Sequence, residues 1–173
     1  MIYNKIHLYY GDGKGKTTAA TGLAVRAAGS DMTVVYCQFL KNGSSGELNI
    51  LRNLPGIYVL TVQENFGFTW NMSAEQHHQA CRAYTQLFLD AINHASKPQL
   101  IVFDEIVDAI NTGLLDKELF IDSINNIKED TEIVLTGHNP AEFLIEMADY
   151  VSCITKEKHP FDKNLQARKG IEF

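Results

Sequence analysis

The residues best suited to chemistry are Gly11-Asp12-Gly13-Lys14-Gly15-Lys16-Thr17-Thr18, where glycines, lysines and hydroxyls follow one another in a single run. Such a run, placed after a strand and opening a helix, binds phosphate. Glycines let the backbone curl until successive N–H groups point at phosphate oxygens, and the helix N-terminus adds the positive end of its dipole. Lys16 supplies a mobile ammonium, and the Thr17 hydroxyl is of the kind that ligates Mg²⁺. All eight residues are expected to contact a nucleotide. The general pattern G-x-x-x-x-G-K-[ST] asks for a first glycine at position 10, where this chain has Tyr10. The bland alternative is a glycine-rich turn ahead of an ordinary helix.

The second half of a nucleotide site should be an acidic residue ending a buried strand. Leu100-Ile101-Val102-Phe103-Asp104-Glu105 supplies it, at the strand edge where ligands of open α/β sheets bind. Side chains alternate across a strand, so Asp104 and Glu105 are expected to diverge, leaving one of them to approach a metal directly. Glu105 would also serve a hydrolase by orienting water. Other positions carry two readings each. Arg26 suits a nucleotide contact or a surface salt bridge, and Lys41 a phosphate or a second substrate. His138 suits a phosphate or a helix cap before Asn139-Pro140, and His159 a substrate or tail docking. His77 and His78 are adjacent rather than one helical turn apart, which makes them a poor metal pair and predicts a solvated face.

These groups need elements to hold them. Ile6 to Tyr10, Thr33 to Leu40, Ile57 to Val62, Leu100 to Phe103, Glu132 to Thr136 and Tyr150 to Thr155 read as strands. Helices are predicted over Lys16 to Ala28 with Gly29 as the stop, and from the loop at Asn42 to Gly46 through about Leu54. Others are predicted from Ser73 to about Ala95, over Glu105 to Asn111, Lys117 to Ile127 and Pro140 to Met147. Ser73 with Gln76 forms a capping box, and Pro98 forbids further helix. Glu64 to Asn71 fits no period and contains Phe66, Phe68 and Trp70. The alternation predicts an α/β fold, doubly wound around a mostly parallel sheet, as in the P-loop NTPases, in one domain over 1–173.

Composition narrows the classes. With 173 residues, 45% of them apolar and 21% charged, the chain can bury about 70% of its unfolded surface without staples. A net charge of −6 argues against a nucleic-acid surface. Cys37, Cys81 and Cys153 are expected as buried free thiols. No apolar run spans a bilayer, and Met1 to Tyr10 lacks the pattern of a signal peptide. The expected place is the reducing cytoplasm, away from membranes.

The loop and its continuation through Ala19-Ala20 resemble the altered phosphate loop of the ATP:corrinoid adenosyltransferases of the phosphate-loop type, in which the first glycine is also missing. Gly22-Leu23-Ala24-Val25-Arg26-Ala27-Ala28-Gly29, Gln38-Phe39-Leu40-Lys41, Gly67-Phe68-Thr69-Trp70, Asp104-Glu105, Thr136-Gly137 and Ala148-Asp149 resemble further family motifs. So do Lys158-His159-Pro160-Phe161 and the closing Gln166 to Phe173.

The resemblance implies transfer of the 5′-deoxyadenosyl group of ATP to the cobalt of a reduced corrinoid, with release of triphosphate. It places Lys16 and the loop on the triphosphate, with Arg26 and His138 as further nucleotide contacts, the latter where the family commonly has Arg. It puts Thr17 and Glu105 on Mg²⁺ with Asp104 nearby, and Phe68 and Trp70 against the corrin ring. It also implies a homodimer and an electron-donor protein. Longer members have an N-terminal extension over the corrinoid, so its cover here is expected to come from another element or a partner. The rival readings are an ATP hydrolase or switch of the same fold, and a non-catalytic carrier of corrinoid or nucleotide.

Overall fold

The computed structural model describes residues 4–67, 69–160 and 166–171. Six strands, β1 (Ile6–Tyr10), β2 (Val34–Gln38), β3 (Ile57–Thr61), β4 (Leu100–Asp104), β5 (Glu132–Gly137) and β6 (Tyr150–Cys153), form one sheet in the order β3-β2-β4-β5-β1-β6. Every pairing among them is parallel, for example Val34 to Leu100 and Leu8 to Leu135. Parallel strands need crossovers, and these are α1 (Lys16–Ala28), α2 (Gly46–Leu51), α3 (Ala74–Ile92), α4 (Ile106–Asn111), α5 (Lys117–Ile127) and α6 (Glu142–Met147).

Alternation along the strands divides the interior into two cores. Val34, Tyr36, Leu100, Val102 and Val134 face α1 and α2, meeting Ala20, Ala24, Leu48 and Leu51. Val35, Cys37, Ile101, Phe103, Ile133 and Leu135 face the other way, onto Tyr84, Leu87 and Phe88 of α3 and Phe120 and Ile124 of α5. Both β2 and β4 are buried at every position, which is why their sequences are apolar up to the closing Gln38 and Asp104.

Local chemistry sets the ends. The Ser73–Gln76 capping box forms in both directions, and Asp116 caps α5 by accepting from Leu119 N. Some ends differ from expectation. The α3 helix stops at Ile92, short of the expected Ala95, as Asn93 leaves helical geometry; Lys97 then takes a left-handed turn (φ 50°) ahead of Pro98. Gly29 closes α1 in right-handed helical geometry; the left-handed residue is Asp31, at φ 61°. The thiols correct the reading of three buried cysteines. Cys37 is buried, Cys81 is partly exposed and Cys153 is exposed, since Cys153 lies on the outermost strand, whose residues are all exposed.

Candidate active site

Because the strands run the same way, the segments after β1, β2, β4 and β5 emerge at one edge of the sheet. After β1 comes the glycine loop, which is shaped by two neighbours. Within it, Lys16 is 7% exposed and donates to the carbonyls of Gly11 (2.7 Å) and Gly13 (3.0 Å), so its ammonium lies inside the curl. Outside it runs the continuation of β6. Ile154 N donates to Tyr10 O at 2.7 Å and Gly13 N to Ile154 O at 2.8 Å, while Lys156 N donates to Asp12 Oδ1 at 2.9 Å. A Cβ on Gly11 or Gly13 would lie 2.4 or 2.7 Å from Ile154 O, so this strap, as well as phosphate chemistry, requires glycine there. Gly13 N–H and the Asp12 carboxylate are thus committed to the strap.

Asp104 ends β4 fully buried, with donors on both oxygens. Thr17 Oγ1 (2.9 Å) and Thr136 Oγ1 (2.8 Å) donate to Oδ1; Gln38 Nε2 (3.1 Å) and Lys41 Nζ (3.2 Å) donate to Oδ2. The Thr17 bond joins the loop to the acidic strand end. Glu105 follows in left-handed geometry (φ 63°), which takes it out of strand alternation. Its backbone N–H donates to Thr136 Oγ1, and its carboxylate comes within 3.7 Å of the same Lys41 ammonium. The two carboxylates therefore converge on one cation, contrary to the expectation that they diverge.

After β5, Gly137 brings the chain against α4. His138 N donates to Asp108 Oδ2 at 2.9 Å, and His138 Nδ1 lies 3.2 Å from that oxygen and 3.9 Å from Glu105. His138 is not a helix cap: Ala141 stands at that position before α6. Glu105, Asp108 and His138 offer ligand atoms all within 4.8 Å of one another, the one such group of three among the described residues. Asp108 and Gln38 escaped assignment from sequence. The only signal for Asp108 was its place in the first turn of the helix that follows Asp104-Glu105, and for Gln38 its place in the Gln38 to Lys41 motif.

The charges are interdependent. Burial, then the negative charge of Asp104, pushes the Glu105 carboxyl up to about 7, with Lys41 opposing. Burial works against the Lys41 ammonium, yet Asp104 and Glu105 hold it above the ordinary lysine value. The hydrogen bond to Asp108 raises His138 above the ordinary imidazole value. Burial likewise opposes ionisation of Asp108, but the His138 hydrogen bonds keep it low.

Other expected site residues lie further out. Arg26 stands exposed in the last turn of α1, about 15 Å along the helix from Lys16, so it is not brought together with the loop. Trp70 lies in a 3₁₀ turn, Thr69–Asn71, and is 75% exposed. Phe66 anchors that segment edge-on against Tyr84, at 6.0 Å between ring centres. Phe68 lies outside the described residues. A cleft of about 500 Å³ beside the loop is lined by Lys14, Thr155, Lys156, Glu157, Lys158 and His159. His77 is partly buried and His78 exposed, with His77 Nε2 3.4 Å from Thr112 O.

A phosphate loop tied to an acidic strand end, on an all-parallel α/β sheet, defines a nucleotide-binding protein of the P-loop class. The family model for the ATP:corrinoid adenosyltransferases BtuR/CobO/CobP matches residues 3–173, and this chain belongs to that family. It is 32% identical to the corrinoid adenosyltransferase of Escherichia coli (strain K12), over 97% of this chain and 85% of that one. The Pseudomonas aeruginosa corrinoid adenosyltransferase is 31% identical over 96% and 82%. The corrinoid adenosyltransferase CobA of Salmonella typhimurium is 32% identical over 97% and 85%. Among solved structures, AMPPCP-bound DnaA from Aquifex aeolicus aligns with 97% of this chain and 48% of its own, at 14% identity and a TM-score of 0.45, too loose a likeness to inform function.

Proposed function

We propose that this chain transfers the 5′-deoxyadenosyl group of ATP to the cobalt of a reduced corrinoid and releases triphosphate. The observation that carries this reading is the family match over 3–173, in a chain whose loop has Tyr10 in place of the usual first glycine.

Cobalt(I) of the substrate is already a strong nucleophile. It attacks C5′ of the ribose, a Co–C bond forms, and the C5′–O bond breaks with its electron pair leaving on triphosphate. No general base is required. The chain's work is to orient and to stabilise the leaving group. Lys16, lying within the loop, and the loop amides not committed to the strap bind the triphosphate. Their fixed dipoles favour the charge that develops as it departs. Holding C5′ in line with cobalt can contribute on the order of 7–11 kcal/mol.

Thr17 and Asp104 are hydrogen-bonded oxygen donors, the Glu105 carboxylate shares the Lys41 ammonium with Asp104, and Gln38 Oε1 is a buried acceptor without a partner among the described residues. That donor set fits Mg²⁺. When bound, the ion would neutralise part of the leaving group's charge. Trp70, exposed on the turn after β3, and Phe68 supply aromatic surface for the corrin ring and exclude water from the cobalt. We also take the protein to be a cytoplasmic homodimer served by a separate electron donor. Among the described residues, no helix is long and apolar enough to cross a membrane.

The test is anaerobic incubation with ATP, Mg²⁺ and chemically reduced corrinoid, followed by cobalt spectroscopy and phosphate analysis. Adenosylated corrinoid and intact triphosphate are expected in equal amounts. Formation of ADP and inorganic phosphate would instead identify a hydrolase or switch. Binding of both substrates without turnover would identify a carrier.

A further inference from the structure

Lys41 occupies a position that a solvated surface lysine would not. Its ammonium is 3.2 Å from Asp104 Oδ2 and 3.7 Å from Glu105 Oε1, and the side chain is 33% exposed. The backbone aims it there. Phe39 N donates to Asp104 O at 2.9 Å, prolonging β2 alongside β4. Leu40 then takes a left-handed conformation (φ 56°), unusual for a leucine, and this turn brings Lys41 back over the strand end. One ammonium thus serves both carboxylates assigned above to the divalent cation.

A divalent ion approaching Asp104 and Glu105 must meet that ammonium at close range or displace it. Either course weakens binding, by like-charge repulsion or by loss of two ion pairs. Triphosphate alters the balance, because it brings several negative charges to the adjacent loop. A lysine is a point charge on a flexible four-carbon stem, able to change partners. Asp104 keeps Thr17, Thr136 and Gln38 as donors when Lys41 leaves, so the carboxylate is not stranded.

We propose that Lys41 is a tethered stand-in for the divalent cation, which holds Asp104 and Glu105 in the nucleotide-free chain and makes metal binding conditional on ATP. This rests on the reading that ATP and Mg²⁺ occupy this site. Lys41 is then a positioning residue, acting through the carboxylates. Coupling of this kind is reciprocal, so the metal must favour ATP by the same factor that ATP favours the metal.

The experiment uses the full chain without corrinoid, so that no transfer occurs. Mn²⁺ alone is titrated and followed by electron paramagnetic resonance, and ATP affinity is measured by equilibrium dialysis with and without Mn²⁺. Wild type should bind Mn²⁺ alone weakly, and Mn²⁺ should tighten ATP. Lys41→Met should bind Mn²⁺ alone about tenfold more tightly, with the metal–ATP coupling reduced by about the same factor. Lys41→Arg, which keeps a cation, should stay near wild type. If Lys41→Met fails to fold, Lys41→Gln makes the same comparison. Mn²⁺ affinity that is unchanged or weaker in the neutral variants, with ATP binding intact, would overturn the inference alone. A wild-type chain that binds ATP in neither condition would overturn the underlying reading, and the inference with it.

Discussion

Gly137 tolerates no side chain. At φ 151°, an added Cβ would lie 2.4 Å from Asp108 Oδ2 and 2.6 Å from Val107 Cβ. The contact it would break is the one by which Asp108 holds His138. Gly137→Ala is therefore expected to destabilise the protein by about 1–3 kcal/mol. At roughly 2–4 °C per kcal/mol for a chain this long, thermal unfolding should show a fall of several degrees. An unchanged midpoint would mean that α4 moves aside freely. The aromatic residues make a separate prediction. Replacing Phe68 and Trp70 together with Ala should suppress adenosylation starting from cobalt(II), the reduction of which needs water and the lower axial ligand kept away. It should largely spare reaction of prepared cobalt(I). Equal loss in both assays would assign the pair to binding alone. Lys16, Thr17 and Asp104 were legible as residues because their types have few substitutes in phosphate and metal chemistry. The aim of Lys41 and Glu105 was not, since both depend on left-handed backbone at Leu40 and Glu105, residue types that do not announce it.

At the scale of elements, β6 and its continuation do more than close the sheet. Asp149 fastens the start of the strand, accepting from Ile6 N at 2.9 Å and pairing with Lys5 at 3.1 Å. Asp12 fastens the end, accepting from Lys156 N. Each carboxyl is held below the usual aspartate value, chiefly by the backbone hydrogen bond it accepts. A carboxylate with a depressed folded pKa contributes stability that is present above its unfolded value, near 3.9, and is lost as pH falls through the folded value. Hydrogen exchange should therefore show the β6 amides losing protection below about pH 4, before those of β2 and β4. Asp12→Asn should loosen the strap already at neutral pH. Simultaneous loss across the sheet would show that the two aspartates do not govern this edge. The strand itself was legible from its start at Tyr150, although it ends at Cys153 rather than at the expected Thr155. The strap was not, because contacts between Asp12 and Lys156, or Gly13 and Ile154, join segments remote in sequence and leave no local pattern.

At the scale of the whole molecule, the two cores share every central strand. Val102 faces α1 and α2 while its neighbour Phe103 faces α3 and α5, so neither layer of helices can leave without exposing half of β4. The parallel pairing followed from the alternation of apolar runs with helices, whereas the order β3-β2-β4-β5-β1-β6 did not, because alternation alone does not fix which strands are neighbours. The interdependence of the layers could only be read once registers were in hand. It makes a prediction about cooperativity, and with it about whether 1–173 behaves as one domain. Leu51 is 1% exposed on α2 and Leu87 is 6% exposed on α3, in opposite cores. Truncating either to Ala should cost about 2–5 kcal/mol, and each loss should shift one common transition. Far-ultraviolet circular dichroism would follow the helices and near-ultraviolet dichroism the packed tyrosines, with coincident curves expected for wild type and both variants. If Leu51→Ala instead splits the transition, the α1–α2 layer melts apart from the rest and the loop at its edge is held by a separately unfolding unit. The glycine loop would then lose its shape at temperatures where the aromatic core still stands, and ATP binding would fail before most of the secondary structure did.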